Sequence, residues 1–127
     1  MSGPETRIQQ NIQKAVRKRG GYVIKIHGSP MMPVGTPDLL ACYRGCFVAM
    51  EVKTPETRDN VSPVQRLRLK EIKQAGGGAY VVWTVAQANK VLDLIDTALS
   101  TLDEAIDSVS REDAKRVLRR WDTRADR

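Results

Sequence analysis

The stretch GTPDLLACYRGCFVAMEVKTP, residues 35–55, decides how this chain is read. Two apolar, strand-forming runs flank Arg44–Gly45, a pair suited to a two-residue turn because glycine takes positive φ without strain. With that turn, Tyr43 pairs with Cys46, and counting back sets Asp38 opposite Glu51. Directly opposed residues share a sheet face with Cβ atoms about 4.5–5.5 Å apart. Lys53, two residues beyond Glu51, joins the same face. A three-residue turn or a bulge would shift this register by one and leave Asp38 oblique to Glu51.

Two carboxylates held that close repel unless one keeps a proton or a cation lies between them. Lys53 can neutralise one charge, whereas Mg²⁺ suits the pair better, since it takes one or two carboxylates plus water and substrate phosphate. The plain alternative is a solvated Glu51–Lys53 ion pair with Asp38 at a strand end. The apolar flanks, the converging register and the basic charge of the chain favour the metal site.

Outward from the hairpin, the pattern is α-β-β-β-α-β followed by helices. Residues 5–19 place Ile8, Ile12, Ala15 and Val16 on one helical stripe, with Pro4 in the first turn and Gly20–Gly21 as the stop. Residues 22–27 (YVIKIH) read as a strand with Tyr22, Ile24 and Ile26 on one face and Val23, Lys25 and His27 on the other. GSPMMPVGTP is a loop, and the hairpin strands are expected over about 37–43 and 46–53. In SPVQRLRLKEIKQAGGG, Ser62 caps a helix with Pro63 in its first position and Gln65 completing an S-x-x-Q box; residues 76–78 end it. A buried strand is expected over 80–85 and helix from Ala86, with Val91, Leu92, Ile95, Ala98, Leu99 and Leu102 recurring at three and four. A last helix capped by Ser110 would carry Ala114, Val117, Leu118 and Trp121 on one side. The apolar central strands imply a sheet covered on both faces.

The 127 residues suffice for one domain with a core over about 5–85 and a helical extension over 86–127. No apolar run approaches membrane-spanning length and no signal-peptide core opens the chain, so a cytoplasmic protein without membrane association is expected. The net charge of +6 is uneven: residues 1–90 carry +8 and residues 91–127 carry −2. The basic excess lies with the hairpin and points to an anionic partner, nucleic acid first. Cys42 and Cys46 are too few for a disulfide framework and lack further ligands for zinc, so they read as small apolar residues.

The TPD of residues 36–38, the EVK of residues 51–53, the SPVQ helix start and the AGGGAYVVW turn-to-strand together resemble the PD-(D/E)XK nuclease superfamily, and within it the VRR-NUC family. The resemblance covers about residues 5–85. It implies a restriction-endonuclease-like α/β core, a mixed sheet flanked by helices, with additional C-terminal helices. It implies Asp38, Glu51 and the carbonyl of Val52 as ligands of Mg²⁺ or Mn²⁺, and Lys53 as the catalytic lysine. Glu5 is either an additional metal carboxylate or an ordinary first-turn acid favoured by the helix dipole. Gln65 is expected both to complete its capping box and to act as a catalytic hydrogen-bonding residue near the phosphate. Small stand-alone members of viral or bacterial type resemble homodimeric nucleases that cut branched DNA such as four-way (Holliday) junctions.

Arg66, Lys70 and Lys73 fall on one helical stripe at i, i+4 and i+7 that could follow a phosphate backbone, and Lys25 could reach a phosphate near the metal; a solvated face is the plain reading of each. His27, the sole histidine, excludes a histidine cluster within one chain and reads as structural, and Ser29 has no triad context. With one Phe and no RNP-like aromatic pattern, binding by shape and charge is expected rather than base stacking on a platform. Surplus apolar residues near the C-terminus could form a two-fold interface. The resulting expectation is a metal-dependent, structure-specific DNA endonuclease. A flap or duplex nuclease of the same fold, or a DNA-binding module that does not cut, stands as the alternative.

Overall fold

The computed structural model describes residues 3–108 together with 113, 115, 116, 118 and 119. Seven elements follow one another: α1 (Pro4–Lys18), β1 (Tyr22–Lys25), β2 (Leu39–Tyr43), β3 (Cys46–Val52), α2 (Pro63–Gln74), β4 (Gly78–Val82) and α3 (Val85–Asp107). The four strands form one mixed sheet in the order β1-β2-β3-β4. The first three run antiparallel, and β4 lies parallel to β3. That parallel pair needs a crossover, which α2 supplies. This is the α/β order, a mixed sheet flanked by helices, that the resemblance implies.

The hairpin turn has Arg44 at φ 50° and Gly45 at φ 82°, the pair of positive values a type I′ turn requires. Its strands pair Tyr43 with Cys46 and Leu39 with Met50, so the register counted from the sequence holds without a bulge.

Strand alternation then separates two cores. On one face, Val23, Leu39, Ala41, Tyr43, Val48, Met50, Val52 and Val82 pack with Ile12 and Val16 of α1 and with Ala88, Val91 and Leu92 of α3. On the other, Ala49 and Ala79 pack with Leu69 of α2, joined by Leu40, Ile72 and Val81. The short α2 covers only the β3–β4 half of that second face. Tyr22, Ile24 and Phe47 are left exposed on this face, as is Cys42, so the expectation of a sheet covered throughout fails at β1, at β2 and at the start of β3.

Strands β1 and β4 depart most from their expected bounds. β1 ends at Lys25, although the amide of Ile26 still donates to the Asp38 carbonyl at 2.8 Å. β4 runs from Gly78 to Val82 and not over 80–85. Its start moves back because the chain reverses at Gly76 and Gly78 already pairs with Val48. Its end moves back because Thr84 and Gln87 form a second capping box: the Gln87 amide donates to Thr84 Oγ1 at 3.2 Å, and Gln87 Oε1 accepts from the amides of Trp83 and Thr84. The TVAQ pattern is the same signal as SPVQ and could have been read as such.

By contacts the chain divides into two compact units, Met1–Ile95 and Asp96–Arg127. The first holds the sheet, α1, α2 and the opening of α3. The second contains the remainder of α3, where Leu102 is exposed. Ser110, Ala114, Val117 and Trp121 of the expected last helix lie outside the described residues, whereas Leu118 is exposed. Among the described residues, no helix is long and apolar enough to cross a membrane.

Candidate active site

The three charged residues of the hairpin meet at one end of the sheet, on the α2 face. Asp38 directly precedes β2, and one of its carboxylate oxygens, Oδ2, accepts the Val52 amide at 2.8 Å. Glu51 lies within β3 and is 3% exposed. Its Oε1 accepts from Gln65 Nε2 at 3.2 Å and lies 3.8 Å from Lys53 Nζ. Its Oε2 is buried with no hydrogen-bond partner. Burial first, and then the negative charge of the adjacent Asp38, push the Glu51 carboxyl up to about 8. The Lys53 ammonium pulls it the other way, and Glu5 adds a further negative charge.

Gln65 links the site to α2. Its side-chain carbonyl accepts both the Ser62 amide at 3.0 Å, closing the capping box, and Lys53 Nζ at 3.2 Å. Its own amide donates to Ser62 Oγ at 3.2 Å. One side chain therefore caps the start of the helix and orients two charged groups. The Lys53 side chain is only 12% exposed, so its ammonium is held in place by Glu51 and Gln65 rather than spread through solvent.

These residues fit a hard divalent cation. Two facing carboxylates, one with an unpartnered buried oxygen and a strong tendency to keep a proton, have too much negative charge and too few donors without one. Among the described residues, no three Asp, Glu, His or Cys side chains are grouped closely enough to hold a metal by themselves. A cation held here would take these two carboxylates and complete its shell with main chain and water, a set that suits Mg²⁺. Glu5 acts on Glu51 through its charge rather than as a third member of a compact carboxylate group.

The remaining candidates divide. Arg66, Lys70 and Lys73 are exposed on α2, as their spacing suggests. Arg68, between them, bonds the Val34 carbonyl at 3.0 Å and Glu71 at 2.7 Å and fastens a loop to the helix. Lys25 pairs with Leu39 and shares its face, opposite to the one carrying Asp38 and Glu51, so the strand does not direct it to the carboxylates. His27 is exposed.

One polar residue was not singled out from the sequence. Gln9, a turn beyond Glu5 on α1, is 4% exposed, and its buried Oε1 has no partner. The available signal was a glutamine on the buried stripe of Ile8, Ile12 and Val16.

Comparison with known proteins places the chain in a family. A family model described as archaeal Holliday junction resolvase (Hjc) matches residues 5–118. A solved structure named VRR_NUC domain is 26% identical with a TM-score of 0.61, covering 72% of this chain and 97% of its own. A second, a VRR_NUC domain protein, shares the fold at 19% identity and a TM-score of 0.51, covering 76% of this chain and 88% of its own. The Hjc resolvase of Archaeoglobus fulgidus is 25% identical with a TM-score of 0.49, over 62% of this chain and 66% of its own. No curated protein matches the chain. The VRR-NUC resemblance thus has its counterpart among the solved structures, and the family model spans nearly the whole chain: it belongs to the archaeal Holliday junction resolvase (Hjc) family.

Proposed function

We propose that this chain is a metal-dependent endonuclease that hydrolyses phosphodiesters in branched DNA, with four-way junctions as its substrate class. The observation that carries the reading is the buried Glu51 carboxylate, one oxygen unpartnered, facing Asp38 beside a fixed lysine. Family membership supports the substrate class, since the matched family is described by that reaction.

Asp38 and Glu51 would hold Mg²⁺ or Mn²⁺ through carboxylate oxygens, with the Val52 carbonyl available from the same strand end. When bound, the cation supplies an activated water and neutralises charge on the phosphoryl group. The protein's own part is placement. Lys53 donates to a phosphate oxygen or to the attacking water, and Gln65 holds that ammonium in position while bonding Glu51. Burial favours the neutral Glu51 carboxyl in the absence of a cation and would leave its carboxylate unscreened by solvent where one is held. Exposed Arg66, Lys70 and Lys73 follow the flanking backbone as a charge stripe.

The protein acts as a homodimer in this reading, because a junction with two-fold symmetry is cut by two symmetric sites. The uncovered apolar residues Tyr22, Ile24 and Phe47 support self-association.

The test is cleavage of labelled four-way junction, flap and linear duplex with Mg²⁺, with Mn²⁺ and with chelator. Junction cleavage that needs the metal, and falls at least about a hundredfold in Asp38→Asn and in Lys53→Ala with melting curves retained, is the expected outcome. A wild type that cuts none of these DNAs with Mn²⁺ would overturn the reading.

A further inference from the structure

Adjacent antiparallel strands need a connection of only two to five residues. Between β1 and β2 the chain instead spends residues 27–37, and the Ile26 amide meets the Asp38 carbonyl at 2.8 Å across the neck. The result is a closed loop whose neck is the candidate catalytic aspartate.

The loop is organised from within. Met32 N donates to the Ser29 carbonyl at 3.1 Å and Met31 N to Ser29 Oγ at 3.3 Å. Thr36 donates to the Pro33 carbonyl at 2.6 Å through its hydroxyl and at 3.3 Å through its amide. Arg68 ties the Val34 carbonyl to α2. Gly35, at φ 82°, lies so close to α2 that a Cβ there would stand 2.9 Å from the Val64 backbone. Three prolines stiffen the rest.

On this ordered frame Met31 is 94% exposed and Val34 73% exposed. Residues 28–37 contain no charged side chain, in a chain of which 28% is charged and whose net charge is +6. A cavity of about 330 Å³ is lined by Met32, Val34 and Thr36 of this loop together with Ile26 and Asp38. An uncharged apolar tip does not suit phosphates. It suits the faces of bases, against which a thioether packs well, and inserted apolar side chains unstack a base step.

We propose that residues 27–37 form a wedge that opens the base stack at a DNA branch point next to the phosphate facing Asp38, with Met31 and Val34 as the residues that enter it. The proposal rests on the branched-DNA reading above and adds how the branch is recognised. Stacking is already interrupted at a branch, so insertion costs least there, and discrimination against continuous duplex follows without base-specific hydrogen bonds. The cavity beside Asp38 then receives the unstacked base.

The test uses the full-length protein without metal and a four-way junction carrying 2-aminopurine at the branch. Fluorescence should rise on binding of the wild type and of Met31→Leu. At concentrations that saturate binding by anisotropy, the rise should be lost in a Met31→Ser/Val34→Ser double variant, whose junction cleavage with Mg²⁺ falls about tenfold or more. Both residues are exposed, so an unchanged melting temperature is expected in that variant. An equal rise in the double variant, or none in the wild type, overturns the wedge. A rise in the wild type without cleavage of any DNA supports the wedge and sinks the nuclease reading; cleavage without a rise does the reverse.

Discussion

Glu51 is where the chain's stability and its chemistry conflict. Its carboxyl holds a proton up to about pH 8 in the metal-free fold, against an ordinary value of 4.5. Between those values the native state binds more protons than the unfolded chain, so this residue makes stability fall as pH rises. Glu51→Gln removes the fall. In chelator, the melting temperature of Glu51→Gln should exceed that of the wild type by a margin that widens from about pH 4.5 and levels off near pH 8. Parallel profiles would show that burial does not hold the proton. Added Mg²⁺ competes with that proton, so its stabilising effect on the wild type should grow with pH and vanish in Glu51→Gln. Gln65 gives a second test at this scale. Gln65→Ala loses the capping box and the bonds to Glu51 and Lys53, so about 1 kcal/mol of stability and most of the cleavage should go together. Ser62→Ala should cost similar stability while cleavage remains, because only Gln65 touches the charged groups.

At the scale of elements, the hairpin turn and α2 do the positioning. Arg44 and Gly45 both sit at positive φ, and the register that brings Asp38 to Glu51 depends on that turn. Gly45→Val should destabilise by about 1–2 kcal/mol, measured by denaturant midpoint, through strain alone, since the space around Gly45 is open. Helix α2 presents Arg66, Lys70 and Lys73 to solvent. If each meets a phosphate, changing all three to Gln should lower the slope of log affinity against log salt by about 3, equally for junction and duplex. An unchanged slope would assign them to a merely solvated face. The helix starts and the hairpin were legible because caps, prolines and turn glycines act locally. Strand β4 begins earlier than the apolar run YVVWTV suggests because Gly78 already pairs with Val48, and ends earlier because a second capping box, Thr84 with Gln87, starts α3.

At the scale of the whole molecule, charge and apolar surface point to different partners. The basic excess within residues 1–90 accompanies the candidate active site, whereas Tyr22 and Ile24 of β1 and Phe47 at the start of β3 are exposed apolar residues on the α2 face of the sheet. Light scattering at micromolar concentration should return twice the chain mass, and Tyr22→Lys with Phe47→Lys should return one. A wild-type monomer would remove the two-fold arrangement from the proposed function.

What the sequence determined by itself was local and periodic: helix stripes, capping boxes, a two-residue turn, and, through the register that turn imposes, the facing of Asp38 and Glu51 with Lys53 beside them. What only tertiary structure decided was burial and the company each side chain keeps. Lys25 lies on the face opposite to the carboxylates, Gln9 is buried with its side-chain oxygen unpartnered, and an ordered apolar loop closes on Asp38. The physical reason is range. Backbone dihedrals, caps and strand pairing are set by residues a few positions apart. Desolvation of Glu51, the reach of Gln65 and the exposure of Met31 depend on elements that meet only when the sheet closes over its helices.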